Sequence, residues 1–141
     1  MKHHQYNPNY KFVREPFEFN KNSDKSFLQY CLGATLYMPG TKDIRDKILN
    51  KKMNDITSLV MCFEDSIQEK DLPIAEENVL LHLEDLANEI EKQKISINDI
   101  PLIFPRVRNL TQFRNFSSSL TKRQAGILSG FVFPKFDSTN I

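Results

Sequence analysis

"TSLVMCFED", residues 57–65, is the stretch of sequence that decides the fold. Its middle, from Leu59 to Phe63, is continuously apolar, whereas a strand with one solvent-exposed face would alternate apolar and polar residues. A strand that is buried on both faces is typical of a parallel sheet covered by helices. Glu64 and Asp65 follow at once, so the sequence predicts a buried strand that leaves the core at a pair of carboxylates.

The order of a strand followed by a helix recurs along the chain. Upstream, "ATLYMPG" (34–40) predicts a strand that ends in a turn, and "TKDIRDKILNKKM" (41–53) predicts a helix with Thr41 as its N-cap. Downstream, Asp71 and Pro73 open a long helix. The later predicted elements are a strand at "IPLIFPRVR" (100–108), a helix at "NLTQFRNFSSSL" (109–120) and a fourth strand at "GFVFPKF" (130–136). This alternation indicates right-handed βαβ units and an α/β fold with a parallel sheet.

Length and composition favour one domain of an intracellular type. The 141 residues divide into an N-terminal arm with a short helix (1–33), capped by Ser23 or Asp24, and the βα units (34–141). Nineteen basic residues stand against 18 acidic ones, so we expect no nucleic-acid partner. The chain has neither a membrane-length apolar run nor a signal segment, which predicts a cytoplasmic protein with no membrane partner. We expect its two cysteines to be reduced and packed.

Charged residues follow the predicted strands at their C-terminal ends. They are Lys42 after the first strand, Glu64 and Asp65 after the second, Arg106 and Arg108 at the third, and Lys135 at the fourth. In parallel α/β proteins these strand ends lie on one rim, where ligands bind. The alternative is that the charges only mark where each strand leaves the core.

Four short elements carry a family resemblance: "LYMPGTKDIR" (36–45), "FEDSI" (63–67), "RVRN" (106–109) and "FPKF" (133–136). In this order they resemble the superfamily of citrate lyase beta subunits and HpcH/HpaI-type aldolases. The strands of that superfamily end in Pro-Gly with basic residues, then in elements like Leu-Glu-Asp-Ala-Val, Arg-Val-Asn and Leu-Pro-Lys. The aromatic N-terminal arm resembles the branch found in bacterial tellurium-resistance and stress-response gene clusters.

The resemblance implies a TIM-type (β/α)8 barrel, of which this chain would be the N-terminal half. Such a barrel takes about 250 residues, and we expect strands 1–4, hence four βα units, in residues 34–141. Family members make or break a carbon–carbon bond on a carboxylate or coenzyme A thioester, with Mg²⁺ as cofactor. The direct Mg²⁺ ligands would lie on the fifth and sixth strands, beyond Ile141. We therefore expect this chain to be inactive alone and to pair with a complementary half-barrel or with copies of itself.

The resemblance also implies roles for the rim residues. Arg106 would hold the substrate carboxylate through its planar fork, unless it only forms a salt bridge to Glu64 or Asp65. These two acids would organise Arg106 or approach a metal-bound water, as second-shell groups rather than a complete metal site. Lys42 and Arg45 would meet a phosphate or carboxylate of a coenzyme A ester, although the family has Arg at the place of Lys42. Lys135 would line the pocket.

Other residues carry no predicted catalytic role. Arg108 lies outside the matched element and is expected to be structural, and the three histidines, His3, His4 and His82, are expected to be solvent-facing or merely packed. Two functions stay open at this point. The chain is either the substrate-holding part of a Mg²⁺-dependent lyase or a non-catalytic remnant that serves as an interaction module in a stress-response system.

Overall fold

A parallel three-stranded sheet forms the centre of the chain. The computed structural model describes residues 9–14, 17–50, 52–53, 55–135 and 137. The strands are β1 (Leu36–Pro39), β2 (Ser58–Cys62) and β3 (Leu102–Arg106), in the spatial order β1-β2-β3. Leu59 of β2 lies opposite Leu36 on one side and opposite Ile103 on the other. The α/β class and the first three predicted strands are therefore confirmed.

The helices connect these strands in the predicted order. They are α1 (Lys25–Leu28), α2 (Arg45–Leu49), α3 (Leu72–Glu91), α4 (Leu110–Ser119) and α5 (Lys122–Ala125), with 3₁₀ turns at Glu69–Asp71 and Ile97–Asp99. Pro73 lies in the first turn of α3 as predicted. The helix α5 was not predicted, although Thr121 and Gln124 cap it reciprocally in an S/T-x-x-E/Q box that the sequence displays.

Two predicted helix caps had different outcomes. At α1, the Asp24 side chain accepts a hydrogen bond from the Ser26 backbone N–H at 2.8 Å, which decides between the two candidate caps. At α2, the prediction of Thr41 as the N-cap is wrong, because the helix begins only at Arg45 and Ile44 occupies the N-cap position. The residues between β1 and α2 form a turn instead, in which the Lys42 N–H donates to the Pro39 carbonyl at 3.0 Å.

Strand β2 is buried along its whole length, as its unbroken apolar sequence predicted. Leu59 and Met61 belong to the same hydrophobic cluster as Val79, Leu83 and Leu86 of α3, and all five are at most 1% exposed. The alternate residues of the strand, Val60 and Cys62, are also buried. The sheet is thus covered by α3 on one face.

The predicted fourth strand, 130–136, is not formed as a strand in the described residues. The chain after α5 instead runs beside β3 with two isolated parallel bridges, Ile103 to Leu128 and Arg106 to Val132. The second bridge lies three residues further along β3 but four residues further along its partner. One extra residue therefore breaks the register, as in a β-bulge, and no continuous ladder forms. Four βα units are accordingly not observed, and Phe136 lies outside the described residues.

The N-terminal arm packs against the opposite end of the sheet from the rim. Phe17 stacks on Phe27 of α1 with ring centroids 4.3 Å apart. The Asn20 side-chain amide donates to Asn98 at 2.7 Å, and the Lys21 ammonium donates to the Gly126 carbonyl. No helix among the described residues is long and apolar enough to cross a membrane.

Candidate functional site

The C-terminal ends of the strands lie together, so the side chains that follow them come close. Cys62 at the end of β2 is in register with Pro39 of β1 and with Arg106 of β3. Backbone hydrogen bonds continue one residue further, because Gly40 N–H donates to the Cys62 carbonyl and Phe63 N–H to the Arg106 carbonyl, each at 2.9 Å. The rim predicted from the strand ends is therefore present for three strands.

Four of the six predicted site residues meet in one group, which we call the rim cluster: Glu64, Asp65, Arg106 and Lys135. Arg106 Nη2 donates to Glu64 Oε2 and, at 2.9 Å, to Asp65 Oδ2. Lys135 Nζ lies 3.3 Å from the second oxygen of Glu64. Glu64 thus joins both cations of the cluster.

Burial separates the members of the rim cluster into an inner and an outer pair. The side chains of Glu64 and Arg106 are 12% and 21% exposed, whereas those of Asp65 and Lys135 are 64% and 80% exposed. Burial by itself lowers the pKa of the Arg106 guanidinium, but the negative charges of Glu64 and Asp65 hold that pKa above its ordinary value. Arg106 is therefore always positively charged, and the nearly buried carboxylate of Glu64 holds its guanidinium in place.

Arg108 lies next to the rim cluster and was not predicted to belong to the site. Its Nη2 donates to the Ile67 carbonyl at 2.8 Å and lies 3.4 Å from the Glu64 carbonyl. Arg106 and Lys135 pair with the carboxylates of Glu64 and Asp65, whereas the Arg108 guanidinium donates to backbone carbonyls. Arg108 therefore joins the turn after β2 to the segment after β3.

The other two predicted site residues, Lys42 and Arg45, are held by α3 rather than by the rim cluster. Arg45 Nη1 donates to Asp85 Oδ2 at 3.0 Å, and a second nitrogen lies 3.3 Å from Asp46. Lys42 is exposed, and its carbonyl accepts a hydrogen bond from the Asn78 amide at 3.2 Å. The predicted roles of Lys42 and Arg45 in binding a coenzyme A ester stay predictions.

His82 on α3 is packed below the turn that follows β1. It is 6% exposed, and its Nε2 lies 3.3 Å from Asp43 Oδ1. Its Nδ1 is buried and has no hydrogen-bond partner among the described residues. Burial lowers the pKa of the imidazole, and the nearby Asp43 and Asp85 carboxylates oppose this effect only in part. The expectation of a packed histidine agrees with this placement.

The family resemblance implies a Mg²⁺ site. No three His, Cys, Asp or Glu side chains in the described part of the chain are arranged to hold a metal ion. Glu64 and Asp65 both face Arg106, which a Mg²⁺ ion would have to displace. These residues do not by themselves fit a magnesium site. Cys31 and Cys62 are free thiols.

Comparison with known protein families gives one match. Residues 26–141 match a family model described as C-C bond lyase of the TIM-barrel fold. The matched range contains all three strands, the long helix α3 and the whole rim cluster. Neither the search of curated proteins nor the search of solved structures gave a match.

Proposed function

The chain belongs to the C-C bond lyase family of the TIM-barrel fold, and we propose that it supplies the part of a lyase site that binds the substrate carboxylate. The open three-stranded sheet is accordingly part of a TIM-barrel domain. In such domains the ligand lies at the C-terminal ends of the strands. The rim cluster occupies that position in this chain.

The proposal rests on the difference in burial between the two ion pairs of Arg106, one with Glu64 and one with Asp65. An exposed ion pair contributes about 0–1 kcal/mol, so the bond from Arg106 to the largely exposed Asp65 is easily given up. The pair of Arg106 with Glu64 is part-buried and less screened by water, so it is the harder of the two to break and Glu64 stays in place. A substrate carboxylate would therefore replace Asp65 on the guanidinium while Glu64 keeps the side chain oriented.

The chemistry of the family explains why a cation is needed at this place. Breaking a carbon–carbon bond next to a carboxylate or thioester develops negative charge, and fixed cations stabilise it. Mg²⁺ remains part of the proposal, with ligands from outside the described residues; when bound, it would supply further stabilisation of that charge. Arg106 would orient the carboxylate, and Lys135, whose side chain is 80% exposed, would line the pocket.

The proposal is tested by titrating the purified chain with succinate and with acetyl-coenzyme A by isothermal titration calorimetry. Arg106→Gln should weaken binding at least tenfold, because it removes the fork that receives the carboxylate. Arg123→Gln is the matched control, since Arg123 has equally many carboxylate partners, Glu84 and Glu91, but lies on the helical side of the sheet. Equal affinities of both variants and the wild type would contradict the proposal.

A second variant separates loss of binding from loss of folding. Asp65→Asn removes the internal competitor, and we expect it to strengthen binding by up to about fivefold, which corresponds to about 1 kcal/mol. A gain of affinity cannot arise from unfolding. Unchanged or weaker binding by Asp65→Asn would show that Asp65 is not exchanged for the ligand.

The proposal also covers the activity of this chain by itself and its relation to the tellurium-resistance branch. We expect no lyase turnover from this chain alone, and Mg²⁺-dependent cleavage by the purified chain would contradict that expectation. The narrower relation to the tellurium-resistance branch rests on the aromatic arm alone. If neither succinate nor acetyl-coenzyme A binds, a non-catalytic role as an interaction module becomes the better explanation of the family membership.

A further inference from the structure

The turn after β2 carries both carboxylates of the rim cluster. Within it the Ile67 N–H donates to the Glu64 carbonyl at 3.2 Å, and the Glu64 N–H points at Cys62 Sγ at 3.4 Å. The first distance lies at the upper end of the ordinary N–H···O range, and in the second a sulfur atom is a weak acceptor. Both bonds are made by backbone N–H groups, and neither of them contacts the Glu64 carboxylate.

Arg108, in the segment after β3, makes further contacts to this turn. Its Nη2 reaches two carbonyl oxygens of this turn, at Ile67 (2.8 Å) and Glu64 (3.4 Å). A charged donor makes a stronger hydrogen bond than a neutral one, and here it acts on backbone rather than on a carboxylate. Arg108 thus connects the turn after β2 to the segment after β3 through backbone carbonyls, and its guanidinium does not pair with the carboxylates of Glu64 or Asp65 in these contacts.

Arg108 is itself held from two helices. Its backbone N–H donates to Gln112 Oε1 of α4 at 3.1 Å, and Gln112 Nε2 donates to Glu76 Oε1 of α3 at 2.7 Å. Gln112 is 6% exposed, so these bonds are shielded from water. The backbone position from which the Arg108 side chain extends is therefore fixed.

We propose that Arg108 is a positioning residue, which fixes the turn 64–67 so that Glu64 meets the Arg106 guanidinium. The consequence for ligand binding rests on the proposed function; the effect on Arg106 does not. With the turn fixed, Glu64 can orient Arg106, whose Nε is buried and has no partner in the described part of the chain. Without Arg108, the turn moves, Arg106 loses its nearly buried counter-ion, and its Nε becomes accessible to water.

The test follows the Arg106 Nε–H signal by nuclear magnetic resonance, together with hydrogen exchange of the backbone amides of residues 64–67. In the wild type the Nε–H should be protected. In Arg108→Gln we expect at least tenfold faster exchange at both places, while amides of α3 around Leu83 stay unchanged. Arg108→Lys keeps the charge but lacks the fork, and should restore protection in part. Arg123→Gln is the control and should leave both signals as in the wild type.

The outcomes separate this inference from the proposed function. An unprotected Arg106 Nε–H in the wild type, or faster exchange spread evenly over the chain in Arg108→Gln, would overturn the positioning role. If succinate binds to the wild type, Arg108→Gln should also bind it at least tenfold more weakly, and unchanged affinity would overturn the link to the ligand. If the wild type does not bind succinate, the proposed function fails, and the exchange measurements still decide the role of Arg108.

Discussion

Gly40 follows β1 directly and lies against Phe63, which with Phe116 is one of the two largest fully buried side chains. A methyl group added there would lie 2.9 Å from two ring carbons of Phe63 and 3.2 Å from the Ala75 methyl. Carbon atoms attract best at about 3.5–4.0 Å, so this contact is strongly repulsive. Phe63 and Ala75 are both fully buried, so neighbouring core atoms restrict any shift away from the new methyl group.

Gly40→Ala should therefore destabilise the chain. Overpacking a core costs about 1–3 kcal/mol, and the entropy that alanine removes from the unfolded chain returns about 0.4–1 kcal/mol. We expect a net loss of about 1–2 kcal/mol in the free energy of unfolding, measured by urea denaturation. Gly130→Ala is the matched control, because its methyl would meet Phe104 at an ordinary 3.4 Å. Its effect should stay within about 0.5 kcal/mol.

A double variant tests whether the ring of Phe63 is the cause. Phe63→Leu removes Cε1, one of the two ring carbons that the new methyl meets, and leaves a smaller side chain, so Gly40→Ala should cost about 1 kcal/mol less in that background than in the wild type. If Gly40→Ala costs no more than Gly130→Ala, or if its cost is the same in both backgrounds, the steric argument is refuted.

Two more predictions concern His82 and the edges of the sheet. The pKa of His82 is lowered from its ordinary 6.5 in the folded chain, so the neutral ring contributes stability above about pH 6.5 that is lost as the pH falls. The urea midpoint should therefore drop more between pH 7.5 and pH 5.5 in the wild type than in His82→Gln. The variant keeps the neighbouring charges of Asp43, Asp46, Asp85 and Arg45. Equal drops in both proteins would contradict this prediction. The sheet ends at β1 on one side and at the broken ladder beside β3 on the other, and exposed strand edges pair readily, so light scattering should show species larger than the monomer. A stable monomer at all concentrations would speak against this expectation.

The sequence was sufficient for those features that depend on the pattern of one segment. The apolar run from Leu59 to Phe63 predicted a strand buried on both faces, and the repeated order of strand and helix predicted that the strands of the sheet run parallel. The convergence of Glu64, Asp65 and Arg106 followed from the geometry of a parallel sheet, in which all C-terminal ends share one edge.

Features that depend on contacts between distant segments could not be predicted. Arg45 pairs with Asp85, 40 residues away, and Arg108 clamps carbonyl groups, which have no signature in a sequence. The fourth strand failed for a different reason. "GFVFPKF" has the composition of a strand, but the single extra residue between Leu128 and Val132 is a matter of register, which composition does not encode.

The contacts of the N-terminal arm bear on how the domain should be excised for expression. The family match begins at residue 26, yet Phe17 stacks on Phe27, Asn20 holds Asn98, and Lys21 reaches the carbonyl of Gly126. A protein that begins at residue 26 would lack the ring of Phe17 that packs on α1. It would also lack the hydrogen bonds of Asn20 and Lys21 to loops at the end of the sheet opposite the rim. A version that starts upstream of Phe17 keeps these contacts, and should give the higher yield of soluble protein.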